Sequence, residues 1–136
     1  FIALEKAHLN KGWKLVDNWH PDNKAGKRNS FVDVPMLEAT RPGDRLTLDF
    51  RGKAIGIFCV SGPSAGILEY SVDGAPFKEL DTFTEWSHNL YIPWVYMLET
   101  ELKDTDHKLV LRISKKKNPA SQGTECQIRN FVVNGR

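Results

Sequence analysis

Short segments in which apolar and polar residues alternate are the feature that most constrains the fold of this chain. Residues 46–50 (LTLDF) alternate strictly, and residues 55–60 (IGIFCV) alternate in part. A period of two places alternate side chains on opposite faces of a β-strand, whereas an amphipathic helix repeats about every 3.6 residues. No window of about a dozen residues shows the helical repeat, and residues 96–102 have room for one helical turn at most. The sequence therefore predicts a chain built from strands.

Turn residues separate the strand-like segments at the spacing that is typical of a sandwich. The strongest turn signal is Asp73-Gly74, because both central positions of a tight hairpin turn favour positive φ. Pro35 limits its own segment to an edge or an end of a sheet, because proline cannot donate a ladder hydrogen bond. The predicted strands are 13–16, 31–34, 46–50, 55–60, 67–72, 77–80, 91–98, 109–113 and 128–133.

Eight or nine short strands predict an all-β fold, an antiparallel two-sheet β-sandwich with jelly-roll connections. Each strand of a sandwich turns one face toward the core, so the apolar residues of the alternating segments should point inward. The residues predicted to do so are Leu46, Leu48, Ile55, Ile57, Leu109, Leu111, Ile113 and Phe131.

The length of 136 residues predicts one domain covering 1–136, with residues 1–11 as a lead-in from an upstream domain. Phe1 is not an initiator methionine, and we expect that it is not the native N-terminus. Apolar residues make up 40% of the chain, and no apolar run approaches the roughly 20 residues of a membrane span. No membrane partner is predicted.

Charge and cysteine usage restrict partners and cofactors further. The net charge is +2, and the only basic run, Lys115–Lys117, fits a turn, so no nucleic-acid partner is predicted. Cys59 and Cys126 each lie in a strand-like segment; buried free thiols are expected, with a disulfide as the alternative. No Cys/His cluster suggests zinc, and Asp81 with Glu85 lacks the spacing of a calcium loop, so no metal or cofactor is predicted.

Two catalytic-looking patterns occur in the chain. Residues 62–66 (GPSAG) match G-x-S-x-G, which needs a strand, a sharp turn and then a helix to expose its serine. Residues 67–72 have the pattern of a strand instead, so we interpret 62–66 as a turn and keep an esterase using Ser64 as a minor alternative. Asp17 with His20, and Asp104 with His107, have Asp-x-x-His spacing, but no Gly-Asp-Ser block supplies a nucleophile. No catalytic residue is assigned, and this chain alone is predicted not to be an enzyme.

Aromatic residues beside polar segments are the candidates for binding. Flat aromatic faces stack on sugar rings, and neighbouring polar groups orient the hydroxyls. The alternative is that these tryptophans close the ends of the core or pack on a neighbouring domain. The candidate ligand-binding residues are Trp19, His20, Asp81, Trp86, His88, Trp94 and Tyr96.

Eight segments, from about Gly12 to Asn134, together resemble the C-terminal β-sandwich domain that follows the catalytic domain in bacterial SGNH/GDSL-type hydrolases. The segments are Gly12-Trp13, 17–21 (DNWHP), 34–37 (VPML), 61–66 (SGPSAG), 69–74 (EYSVDG), Trp86-Ser87, Pro93-Trp94 and 117–121 (KNPAS). This resemblance implies a galactose-binding-like fold, a catalytic domain upstream in the same chain as partner, and a secreted or periplasmic location. Carbohydrate binding and packing on the catalytic domain both remain open.

Overall fold

Ten strands make up almost all of the regular structure in the computed structural model, which describes residues 4–19, 34–84, 87 and 91–134. A single 3₁₀ turn, Leu4–Lys6, precedes them. The strands are β1 (His8–Lys11), β2 (Lys14–Trp19), β3 (Val34–Ala39), β4 (Arg45–Gly52), β5 (Ala54–Ser61), β6 (Ile67–Val72), β7 (Lys78–Asp81), β8 (Ile92–Glu99), β9 (Thr105–Ile113) and β10 (Cys126–Asn134).

The strands form two five-stranded sheets in which every neighbouring pair is antiparallel. The β4 sheet has the order β1-β4-β9-β6-β7, and the β5 sheet has the order β2-β3-β10-β5-β8. From β3 to β10 the chain changes sheet at every connection except the β6–β7 hairpin. This is the strand order of a jelly roll, and the predicted antiparallel sandwich is confirmed.

The core lies between the sheets, where the alternating segments place their apolar side chains. In β4, Leu46, Leu48 and Phe50 are buried while Arg45 and Asp49 are exposed, as a period of two requires. The eight residues that were predicted to point inward are all at most 1% exposed, which confirms that prediction.

Asp73-Gly74 forms the predicted hairpin turn, with φ of 55° at Asp73 and 78° at Gly74. Strands β6 and β7 pair on either side of it, from Ile67 opposite Asp81 to Tyr70 opposite Lys78. The Asp73 carboxylate also accepts a 2.8 Å hydrogen bond from the backbone N–H of Lys108, at the neighbouring strand β9. The turn therefore fixes the position of β9 as well as that of β7.

Two strands differ from the sequence-based expectation. Residues 8–11, expected within the lead-in, form the edge strand β1, whose four side chains are all exposed and so give no alternation. Strand β3 begins at Val34 and continues through Pro35 to Ala39, whereas residues 31–33 lie outside the described residues. Pro35 falls where the β2–β3 register shifts, so the missing N–H does not interrupt a regular ladder.

Cys59 and Cys126 are both buried free thiols, as expected, and they do not form the alternative disulfide. Burial raises the pKa of Cys59 to about 12 and also raises the pKa of Cys126. Both side chains consequently stay as neutral, unreactive thiols within the core.

Candidate functional site

Trp94 and Tyr96 lie together on β8, at the edge of the sandwich. They pair with Cys59 and Ile57 of β5, which face the core, so both aromatic side chains belong to the inward face of their sheet. Because β8 is an edge strand, this inward face is only partly covered: Trp94 is 49% exposed and Tyr96 is partly buried. The two ring centroids are 6.4 Å apart, and the ring planes are inclined at 43°.

Asp81, the last residue of β7, belongs to the other sheet, close enough to Tyr96 for its charge to act on that phenol. Its Oδ2 accepts a 2.8 Å hydrogen bond from Asn118 Nδ2, and its Oδ1 accepts a 3.0 Å hydrogen bond from the backbone N–H of Phe83. The Asp81 charge contributes to the raised pKa of Tyr96, which burial chiefly brings to about 12. Tyr96 therefore keeps its phenolic proton at physiological pH and can donate a hydrogen bond.

The gap between β7 and β8 is bridged at one end by an ion pair. Lys78 Nζ lies 2.7 Å from Glu99 Oε2, which joins the first residue of β7 to the last residue of β8. Asp81 is the last residue of β7, and Trp94 lies near the start of β8, where it is solvent-accessible. We call the set Asp81, Trp94, Tyr96 and Asn118 the β7–β8 edge.

Loops at this end of the sandwich are bonded to one another and support the edge. Ser121 Oγ donates to the backbone oxygen of Ala65 at 2.7 Å, and Thr82 Oγ1 donates to that of Gly66 at 2.7 Å. The Asn118 side chain accepts a 2.9 Å hydrogen bond from the backbone N–H of Ala120. Asn118 therefore reaches Asp81 from a loop of fixed shape.

Sequence reasoning did not single out Asn118 as a site residue. It lies within residues 117–121, one of the segments that carries the family resemblance, but that segment has no pattern of its own that indicates binding. Its importance comes from a contact with Asp81, which is 37 positions away in the chain. Only the folded arrangement brings these two polar side chains together.

Trp19 does not have the solvent-open ring face that a stacking residue needs. It is 3% exposed and packs edge-to-face on Tyr91, with the ring centroids 5.1 Å apart. Its Nε1 donates to Glu38 Oε2 at 3.3 Å, and Met36 and Val60 complete the same buried cluster. Its inclusion among the candidate ligand-binding residues is therefore corrected: Trp19 is a packing residue. His20, Trp86 and His88 lie outside the described residues.

The G-x-S-x-G segment is a packed turn between strands. The backbone N–H of Ala65 bonds to the oxygen of Gly62 at 3.1 Å, and strand β6 begins at Ile67, where a nucleophile elbow would continue as a helix. Close neighbours explain why positions 62 and 66 must be glycine, the residue without a Cβ. A Cβ on Gly62 would lie 2.2 Å from the Tyr91 ring, and one on Gly66 would lie 2.7 Å from the backbone of Thr124.

His107, the base in one of the Asp-x-x-His matches, is held within the β4 sheet. Its Nδ1 donates to Asp73 Oδ2 at 2.5 Å, and its Nε2 donates to the backbone oxygen of Lys103 at 2.7 Å. The His107 pKa is raised, chiefly by the hydrogen bond to Asp73. Both ring nitrogens are thus engaged by groups that fix the loop before β9, which is a structural role.

The described residues contain neither a metal-ligand cluster nor a membrane-spanning helix. No group of three or more His, Cys, Asp or Glu side chains there could hold a metal ion, and Glu85, the suggested partner of Asp81, lies outside the described part. No helix in that same part of the chain is long and apolar enough to cross a membrane.

The strand order defines a β-sandwich of two antiparallel five-stranded sheets. No family model matches the sequence, and no curated protein matches it. The likeness to known proteins is structural, at sequence identities under 20%.

Solved structures with this fold include domains of carbohydrate esterases. A two-domain esterase active on acetylated mannans, co-crystallised with mannopentaose, has a TM-score of 0.62 at 17% identity over 97% of this chain and 37% of that chain. A family two carbohydrate esterase from Cellvibrio japonicus has a TM-score of 0.55 at 11% identity, over 96% of this chain and 32% of that one. This chain thus spans about a third of the length of these esterases.

A family 35 carbohydrate binding module from Clostridium thermocellum has the same fold along most of its own length. Its TM-score is 0.55 at 13% identity, over 95% of this chain and 92% of that chain. The resemblance to the β-sandwich accessory domain of SGNH-type carbohydrate esterases is confirmed at the level of the fold.

Proposed function

We propose that this chain is a non-catalytic accessory module of a larger SGNH/GDSL-type carbohydrate esterase and that it binds carbohydrate at the β7–β8 edge. The observation that carries the proposal is the half-exposed Trp94 ring beside the Tyr96 side chain. The catalytic domain lies upstream in the same chain, and the whole protein is secreted or periplasmic.

The edge combines the two kinds of contact that sugar recognition needs. The exposed face of Trp94 can stack on a pyranose ring, while stacking alone gives little orientation. Tyr96 is a protonated phenol that also hydrogen-bonds to Ser61, and each carboxylate oxygen of Asp81, which accepts one hydrogen bond within the chain, has a second lone pair for a sugar hydroxyl. An aromatic platform with fixed polar neighbours is the usual chemistry of a carbohydrate site.

The structural neighbours support a carbohydrate role and an accessory position. One of them was crystallised with a mannan oligosaccharide, and another is itself a carbohydrate binding module. The catalytic-looking residues of this chain have structural explanations, because Ser64 lies in a turn that leads into β6 and His107 bonds to Asp73 and Lys103. These observations support assigning hydrolysis to another part of the protein.

Packing on the catalytic domain is a second role, and it has its own support. Val95 and Met97 lie on the opposite face of β8 from Trp94 and are 47% and 44% exposed. Their partners Phe58 and Gly56 on β5 add no charge to this outer face. Adjacent exposed apolar side chains on a flat sheet are typical of a surface that contacts another domain.

Isothermal titration with mannan and other neutral polysaccharides tests the carbohydrate site. Trp94→Ala should weaken binding by about ten-fold or more, because loss of a stacking ring costs on the order of 1–3 kcal/mol. Val95→Ala is the matched control, since it shortens the adjacent exposed side chain on the other face of β8. Binding that Trp94→Ala leaves unchanged would place the carbohydrate site elsewhere.

A further inference from the structure

Three basic residues stand side by side on the outer face of the β4 sheet. Lys11 on β1 is opposite Arg45 on β4, and Arg45 is in turn opposite Arg112 on β9. Directly opposite side chains have Cβ atoms about 4.5–5.5 Å apart, and like charges in that arrangement destabilise a sheet. Of these three, only Arg112 has an ion-pair partner among the described residues, namely Glu69 on β6. The row therefore holds positive charge that nothing described in the chain neutralises.

The Arg112 side chain is held in place by two contacts that leave its terminal nitrogens able to bind a ligand. Its Nε donates to Glu69 Oε1 at 2.7 Å, and its guanidinium carbon lies 3.7 Å from the centroid of the Phe77 ring. No partner is recorded in the described part of the chain for the two terminal nitrogens. A guanidinium fixed in this way presents two parallel N–H donors with little entropy left to lose, which suits a planar anion.

A cleft of about 510 Å³ opens between these side chains and the segment that follows β9. Its walls carry four cationic side chains, and Glu69 is the one carboxylate. Glu69 already pairs with Arg112, and Lys116 pairs with Glu79 at 3.0 Å. Arg45 and Lys115 have no recorded partner in the described residues. The cleft therefore retains a local positive charge, although the whole chain is nearly neutral.

We propose that this cleft binds an acidic sugar residue of a polysaccharide, with its carboxylate or sulfate group on Arg45 and Arg112. The terminal nitrogens of Arg112 can give a carboxylate or sulfate two parallel hydrogen bonds, and Arg45 and Lys115 add charge from the sides. Phe77, which is 40% exposed and stacks on Arg112 beside the cleft, extends the cleft with an apolar surface for the sugar ring. The cleft is on the other sheet from Trp94, so this site is separate from the β7–β8 edge and does not depend on it.

Titration of the full chain with acidic glycans tests the site directly. Polygalacturonate supplies carboxylates alone and carrageenan supplies sulfates alone, so the two titrations identify the preferred anion. Arg45→Gln and Arg112→Gln should each weaken binding by roughly ten-fold or more, since a charge-assisted hydrogen bond is lost. Arg51→Gln is the matched control, because Arg51 is on the same strand as Arg45, at its far end and outside the cleft.

Thermal unfolding gives a second, independent measurement. Arg45 has no recorded partner to lose, so Arg45→Gln should raise the Tm of the ligand-free chain by relieving repulsion from Lys11 and Arg112. At one glycan concentration, the preferred acidic glycan should raise the Tm of the unsubstituted chain by more than that of Arg45→Gln, because the variant binds it more weakly. Neutral mannan, titrated in parallel, tests the β7–β8 edge separately, so the two proposals can fail independently.

Three outcomes would overturn the acidic-sugar site. One is the absence of binding to both acidic glycans. Another is that Arg51→Gln weakens glycan binding as much as Arg45→Gln and Arg112→Gln do, which would mean that binding depends only on the net charge of the chain. The last is equally tight binding of polyglutamate, which carries carboxylates without a sugar ring.

Discussion

At the scale of single residues, the pair formed by His107 and Asp73 makes stability depend on pH. Hydrogen bonding to Asp73 raises the pKa of His107 above its ordinary value of 6.5, and hydrogen bonding to His107 lowers that of Asp73 below 3.8. The contribution of His107 is complete below pH 6.5 and is lost as the pH rises through its raised pKa. The contribution of Asp73 is complete above pH 3.8 and is lost as the pH falls through its lowered pKa.

We therefore expect the pair to stabilise the fold most between pH 3.8 and 6.5. Urea unfolding from about pH 5 to about pH 9 should show the unsubstituted chain losing its advantage over His107→Gln as the pH rises. His8→Gln is the control, because His8 is exposed on β1. A constant difference between the unsubstituted chain and His107→Gln across this range would contradict the ion pair.

The core gives a second expectation at this scale. Leu111 is fully buried between the sheets, so Leu111→Ala should lower the free energy of unfolding by about 2–5 kcal/mol. Leu15, which is 37% exposed on β2, supplies the matched control, and Leu15→Ala should change stability by about 0.5 kcal/mol or less. Denaturant titration measures both, and equal losses would mean that Leu111 is not in the core.

At the scale of elements, the two proposed roles would use opposite faces of strand β8. The double variant Val95→Thr, Met97→Thr should leave carbohydrate binding by this chain intact. It should weaken the association of this chain with the proposed catalytic domain, because the apolar contact area becomes smaller. Analytical ultracentrifugation of the two separately produced parts measures this association. Unaltered association would place the domain interface elsewhere on the sandwich.

How far an element could be predicted depended on its burial. Strands β4 and β9 have one face in the core, and their alternation is visible in the sequence. Strand β1 has no buried side chain, so its sequence HLNK gives no period to detect. The sequence alone could place the Trp94 and Tyr96 side chains next to each other, because residues two apart lie on the same face of a strand. The contact of Asn118 with Asp81 and the row of Arg45 beside Arg112 could not be predicted from the sequence. Both depend on how strands and loops that are far apart in the chain are aligned in the fold.

At the scale of the whole molecule, the proposal assigns hydrolysis to another part of the protein. The isolated chain should not hydrolyse acetyl or p-nitrophenyl esters above background, and Ser64→Ala should make no difference. Far-UV circular dichroism of both forms should show the same strand-dominated spectrum. An ester hydrolysis rate that disappears in a folded Ser64→Ala variant would restore the enzyme hypothesis.

The jelly-roll order also determines when the molecule can assemble during synthesis. Strand β4 pairs with β9, and β3 and β5 both pair with β10, so the centre of each sheet forms only with strands from the last third of the chain. In a chain emerging from the ribosome, β3, β4, β5 and β6 each lack one of their pairing strands until β9 and β10 appear. Such long-range pairing is slow and leaves strand edges open to other chains in the meantime. Efficient production therefore depends on protecting the segments that precede β9 until β9 and β10 have emerged.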